Sequence, residues 1–183
     1  MYFLFSYFIR MVNSKEDIQK FVQSQGNVSL MKKMLDDGTI SDINIIFDNG
    51  LSTNTALMFE TRYGTIEGMR FLLIRKADPN IQDKNGWTAL HKIVNLGEID
   101  NKAKVKQLAK LRLLLDYGAD KNIKTNKGNT VIELAKCSTC CNECIKVLET
   151  YKSKSKNSKT LRKKDKQKIK IKHRKNKSKR NTK

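Results

Sequence analysis

A threonine-anchored self-similarity constrains this chain more than any other feature. Thr55 opens "TALMFETRYGTIEGMRFLLIRKADPN", Thr88 opens "TALHKIVNLG" with "LRLLLDYGADKN" after it, and Thr130 opens "TVIELAKCSTCCNECIKVLETY". The first two threonines are 33 residues apart and the next two 42 apart. The extra nine residues fall in "EIDNKAKVKQLAK", after Gly97 and before the leucine run. Gly64 and Gly97 each follow their threonine by nine residues, and Ala77-Asp78-x-Asn80 matches Ala119-Asp120-x-Asn122 once the insertion is removed. A unit of this length cannot bury its apolar face alone. It must stack on copies of itself.

Within one unit the local signals are helical. Thr88 is placed to cap a short helix over 89–96, and Gly97 to end it. Leu108, Leu111, Leu114 and Leu115 recur at helical spacing and form the stripe of a second helix. Gly118 closes that helix, and residues 120–128 are polar and turn-forming, as a hairpin tip should be. Upstream, Ser14 and Asp17 make a capping-box-like start. Ile18, Phe21 and Val22 form one stripe, and Val28, Met31, Met34 and Leu35 the next, with Gly38 as the stop. Asp42-Ile43-Asn44 repeats the ending, whereas residues 45–54 follow no repeat pattern and are expected to form an irregular loop.

The run Gly86-Trp87-Thr88-Ala89-Leu90-His91 and the ending Leu113-Leu114-Leu115-Asp116-Tyr117-Gly118-Ala119-Asp120-Lys121-Asn122 resemble the ankyrin repeat, with alanine at 89 where proline is usual. The divergence and lysine content look like those of viral or intracellular bacterial members. The resemblance implies an all-α solenoid of about four helix-turn-helix repeats (14–44, 50–82, 83–124 and 125–151) with short hairpin loops. It also implies a non-catalytic, monomeric protein-binding module without a cofactor, which meets its protein partner through hairpin tips and the inner face of the first helices. Carried onto this chain, the partner-binding positions are Lys84, Asn85 and Trp87 in one hairpin and Asn126, Lys127 and Asn129 in the next. Arg62, Tyr63, Asn95 and Leu96 lie near first-helix ends, and Arg75 and Tyr117 near second-helix ends. A packing role stays open for Tyr63 and Leu96, and plain solvation for the lysines. Trp87 occupies the slot of Asn54 and Asn129, which points to a surface anchor, since a core slot would not accept asparagine twice.

Two features invite chemistry. His91 has Met58 and Glu133 as its counterparts, so it is not a repeated ligand, and the resemblance gives it a hydrogen bond to the threonine at its helix start. No base and orienter can be supplied around it, so no catalytic role is assigned. Cys137, Cys140, Cys141 and Cys144 form two abutting CxxC pairs. Zinc sites usually hold their pairs further apart so that the chain can fold back around the metal. Cys141 and Cys144 align with Ile66 and Met69, core positions where a free thiol behaves as a small apolar side chain. No metal is therefore expected. Four clustered thiols point to a reducing, intracellular compartment, with a disulfide left open.

The charge is uneven. Of 38 Lys+Arg and 18 Asp+Glu, residues 152–183 hold 17 and one, so they carry +16 of the net +20. With only Leu161, Ile169 and Ile171 as large apolar residues, this stretch is expected to be a disordered tail. Its Arg162, Lys163, Lys164, Lys172, Arg174 and Lys175 are candidates for nucleic acid or another acidic surface, or for a nuclear import signal. The alternative is a solubilising extension. Residues 1–13 are apolar without the features of a secretory signal, and Met11 is a second candidate start. No apolar run is long enough for a membrane span.

Overall fold

The computed structural model describes residues 14–50, 52–96, 100–137 and 142–151. The chain divides into Met1–Tyr151 and Lys152–Lys183, and the second unit lies outside the described residues, as do residues 1–13. Eight helices are described in four pairs: α1 (Lys15–Val22) with α2 (Val28–Asp36), α3 (Ala56–Arg62) with α4 (Ile66–Ile74), α5 (Ala89–Val94) with α6 (Asn101–Asp116), and α7 (Val131–Cys137) with α8 (Asn142–Thr150). The first helices α1, α3, α5 and α7 pack side by side in one layer, and α2, α4, α6 and α8 in a second.

The helix starts follow from the residues that precede them. Ser14 Oγ accepts from Asp17 N–H (3.1 Å), and Thr55 and Thr65 each accept from the third residue of the helix they open. These bonds satisfy amides that the helix itself leaves open. The apolar stripes close over one another: Phe21, Val22, Met31, Leu57, Met69, Leu72, Leu90, Ile93, Leu111, Leu114 and Leu148 are all buried. Gly38 and Gly118 end their helices at φ +78° and +90°. Lys76 stands in the equivalent place in the second repeat and holds φ +73° despite its side chain.

The endings of successive repeats are joined. Asp42, Asp78 and Asp120 each fold back to accept the N–H of the residue two places on. Asn44 Oδ1 then accepts from Asp78 N–H (2.8 Å), and Asn80 Oδ1 from Asp120 N–H (2.8 Å). The Asp-x-Asn signature is thus a stitch between neighbours.

Two expectations need revision. Residues 45–54 are not an irregular loop: β1 (Ile46–Asp48) and β2 (Thr53–Thr55) pair antiparallel, with Phe47 opposite Asn54. Phe47 turns inward and is buried while Ile46 and Asp48 face out, the alternation that a half-buried strand requires. The described fold is therefore helical with one short hairpin. The helix predicted over 89–96 ends at Val94, with Asn95 as its cap, and Gly97 lies outside the described residues. The insertion before the leucine run is helix: α6 has 16 residues where α4 has nine, and its extra turns are added at its start.

Candidate functional site

The hairpin tips are built by short polar side chains. In the middle tip, buried Asp83 accepts from the N–H groups of Asn85 and Trp87 (2.8 Å each), and its other oxygen holds the ammonium of Lys92. Asp83 N–H donates to Trp87 C=O (2.9 Å), closing the hairpin. Gly86 turns the chain at φ +76°, and a Cβ there would meet Asn126 backbone nitrogen at 2.6 Å, so both the turn and the next tip exclude a larger residue. Thr125 organises the next tip in the same way, with its N–H on Asn129 C=O (2.9 Å) and its hydroxyl accepting from Asn129 N–H (3.3 Å).

These tips are bonded to one another. Lys84 N–H reaches Thr53 Oγ1 (2.7 Å) and Lys84 Nζ reaches Gly50 C=O (2.8 Å). On the other side, Asn126 N–H donates to Asn85 C=O (3.1 Å) and Asn126 Nδ2 to Lys84 C=O (2.9 Å). Three tips thus form one strip in fixed register, and Lys84, Asn85, Asn126 and Lys127 are exposed along it. Asn129 is half-buried at its base.

The remaining positions fall elsewhere. Arg62 and Tyr63 stand at the far end of α3, whose seven residues place them about 10 Å from the tips. Tyr63 is 59% exposed, leans on Phe59 with ring centroids 4.9 Å apart, and carries the Arg62 guanidinium 5.4 Å above its ring. Asn95 is exposed and Leu96 half-buried at the corresponding end of α5. Arg75 is bound to Asp36 (2.6 Å) and lies over Phe71, so it ties the second repeat to the first.

Tyr117 does not belong to the surface. It is 5% exposed, and its ring is part of the core, so a partner cannot reach it. Trp87 does not stand proud as an exposed anchor: it is half-buried, as are Asn54 and Asn129 in the same slot, with Lys92 Nζ 5.7 Å from its ring centre and the His91 ring at 6.4 Å. A slot that half-covers its occupant accepts either asparagine or an indole.

His91 closes a capping box. Its Nδ1 accepts from Thr88 N–H (3.1 Å) and pairs with Thr88 Oγ1 (2.8 Å), which leaves the proton of the neutral ring on Nε2. Burial holds its pKa below the usual histidine value, although the Asn129 and Ile123 carbonyls and the Asp83 charge pull the other way. Its counterpart Glu133 does the same work, accepting from Thr130 N–H (2.6 Å) and Thr130 Oγ1 (2.8 Å), and those bonds hold its carboxyl below the usual range. Interchange with glutamate at that position marks a capping role.

The cysteines need one correction. Cys144 is buried, as its alignment with Met69 requires, but its sulfur is in a disulfide rather than a free thiol. Cys137 is a free, exposed thiol, and Cys140 and Cys141 lie outside the described residues. Among the described residues no group of three or more His, Cys, Asp or Glu side chains is arranged to hold a metal ion, and no helix is long and apolar enough to cross a membrane.

A polar knot escaped the sequence reading. Glu60, fully buried, accepts from Ser24 Oγ (3.2 Å), Gly26 N–H (2.6 Å) and Thr65 N–H (3.0 Å). Lys110 sends its ammonium to the carbonyls of Glu60 (2.9 Å), Thr61 (2.9 Å) and Gly64 (2.8 Å), and Gln107 Nε2 reaches Ile93 C=O (2.7 Å). Carbonyls at the ends of α3 and α5 thus accept from side chains of α6. The available signal was that Gln107 and Lys110 share a helical face with Leu111 and Leu114, where an apolar stripe is expected.

Stacked helix pairs, hydrogen-bonded hairpin tips and a threonine-capped first helix define a helical repeat array. The chain belongs to the ankyrin repeat family: a family profile described as ankyrin repeats, in three copies, matches residues 57–160. A putative ankyrin repeat protein of Rickettsia felis is 41% identical over 64 residues, 35% of this chain and 26% of its own length. One of Acanthamoeba polyphaga mimivirus is 36% identical over 89 residues, 48% of this chain and 19% of its own. Human transient receptor potential cation channel subfamily A member 1 is 29% identical over 129 residues, which is 70% of this chain and a tenth (10%) of the channel. The chain thus spans between 10% and 26% of the length of these relatives. The crystal structure of the ankyrin repeat protein EF0377 superposes with a TM-score of 0.61 at 26% identity, covering 78% of this chain and 66% of that one.

Proposed function

We propose that this chain is a protein-binding module that takes its partner along the strip of hairpin tips and across the adjoining face of the first helices. Ankyrin repeats are in general protein interaction modules. The observation that carries the reading is the tip-to-tip bonding. It holds Lys84, Asn85, Asn126 and Lys127 at fixed spacing without cost in order on binding. Tyr63, backed by Phe59 and Arg62, adds an exposed aromatic of the kind that dominates binding energy.

The test is site-directed photo-crosslinking in the full chain, with the reactive group at Lys127, at Tyr63, or at Lys33 on α2. A partner captured from Lys127 and Tyr63 but not from Lys33 supports the reading. Capture from Lys33 alone would overturn it. With the partner in hand, Tyr63→Ala is expected to weaken affinity by about 2 kcal/mol.

A second reading rests on charge. Residues 152–183 hold +16 of the net +20, which favours polyanion contact through Arg162, Lys163, Lys164, Lys172, Arg174 and Lys175. Lysines that meet phosphates carry no sequence code, so binding to two unrelated duplexes should be equal and fall steeply with salt. Unequal binding that persists at high salt counts against it.

A further inference from the structure

Helix α6 stands out from its layer. Its last residue Asp116 aligns with Ile74 of α4, so the residues from Asn101 to Gln107 extend about 10 Å past the start of that neighbour. On the other side α8 is also only nine residues long. The two extra turns therefore run beyond the helices that flank them.

The outward side of α6 is one continuous face. Asn101, Lys102, Val105, Lys106, Ala109 and Arg112 are exposed, and at 100° per residue they fall within a single arc. Val105, 68% exposed, and Ala109 form its centre. Lys102 and Lys106 border it on one side and Arg112 on the other. Between Asn101 and Leu115 the helix has no acidic residue.

Those charges are uncompensated. Among the described residues no ion pair or hydrogen bond engages the side chains of Lys102, Lys106 or Arg112, whereas Lys32, Arg75, Lys92 and Lys136 are all paired. The acids of the flanking helices do not change this: Glu67 lies in the first turn of α4, Glu143 and Glu149 on α8, and Glu149 is already with Lys136. Lysines in the opening turns of a helix also oppose its dipole, so helix stability does not account for them.

We propose that this face of α6 is a second docking surface, distinct from the hairpin strip, for an acidic amphipathic segment of a partner protein. Carboxylates would meet Lys102, Lys106 and Arg112, and an apolar side chain would cover Val105 and Ala109. The exposed apolar centre selects a protein over a nucleic acid, because phosphates gain nothing from a valine. The surface does not depend on the tip reading and stands if that one fails.

The test uses the full chain with labelled Val and Ala methyl groups and a synthetic amphipathic peptide of glutamate and leucine. The Val105 and Ala109 methyl signals should shift on titration, and the triple variant K102E/K106E/R112E should lose about tenfold or more in affinity at those signals with an unchanged melting curve. Lys106→Glu alone should give a smaller loss, which serves if the triple variant folds poorly. A glutamate–serine peptide should shift these methyls weakly. Equal shifts from it would reduce the surface to unspecific charge attraction and overturn the proposal. So would peptide binding that leaves both methyl signals unmoved, or a DNA duplex that displaces the leucine peptide from the same methyls.

Discussion

At the scale of single residues, the most consequential side chains are polar ones in dry places. Lys110 gathers the carbonyls of Glu60, Thr61 and Gly64 at the end of α3, where a helix leaves carbonyls open. Lys110→Met keeps the aliphatic stem and removes the donors, so it should cost about 1–3 kcal/mol, read from urea unfolding. Equal stability would show that water replaces the ammonium. His91 gives a pH dependence. Its folded pKa lies below the ordinary 6.5, so the unfolded chain takes up a proton first on acidification. The stability it contributes is therefore full above 6.5 and lost as pH falls through that value toward the folded pKa. The gap between wild-type and His91→Gln unfolding midpoints should narrow between pH 7 and pH 5, and a constant gap would rule this out.

At the scale of elements, the second repeat ends with a strained turn. Lys76 sits at φ +73° where Gly38 and Gly118 end the neighbouring helices. A side chain in that region costs about 1–2 kcal/mol, and glycine gives back part of the gain as unfolded-chain entropy. Lys76→Gly should raise stability by about 0.5–1 kcal/mol, and a drop would show that the lysine side chain is held by a contact worth more than the strain. The middle hairpin depends on Asp83. Asp83→Ala leaves the Lys92 ammonium buried and unpaired and frees two turn amides, a loss of about 3–5 kcal/mol by denaturant unfolding. The double variant Asp83→Ala/Lys92→Met should recover much of it. How much of this was legible differs by element. The capping threonines, the leucine stripe of α6 and the Asp-x-Asn endings could be read directly, because each is local and repeats. The β-hairpin over 46–55 could not, because it has no counterpart among the other tips. Nor could the surface positions be sorted: Tyr117 and Tyr63 look alike in sequence, yet one is core and the other is open to a partner.

At the scale of the whole molecule, the stability of residues 14–151 comes from stacking, since each helix pair buries its stripe against the next. The basic stretch 152–183 contributes charge, with only Leu161, Ile169 and Ile171 as large apolar residues. Removing it should leave the unfolding midpoint of the repeats within error, and under the polyanion reading proposed above it should also remove any salt-sensitive binding to duplex DNA. A clear fall in midpoint would show that the stretch packs on the repeats. Duplex binding by the shortened chain at physiological salt would assign that activity to the body.

The period, the capping residues and the apolar stripes were enough to determine a stacked array of helix pairs and its family, because those signals act within one unit or between units of fixed length. The long-range partners were decided only in three dimensions. Lys110 finds the end of α3 some fifty positions back along the chain, and Lys84 and Asn126 lock the tips together. Nothing in the spacing of the sequence reports such a meeting. It depends on how far one repeat is rotated and shifted on the next, and that is set by the packing of every side chain between them.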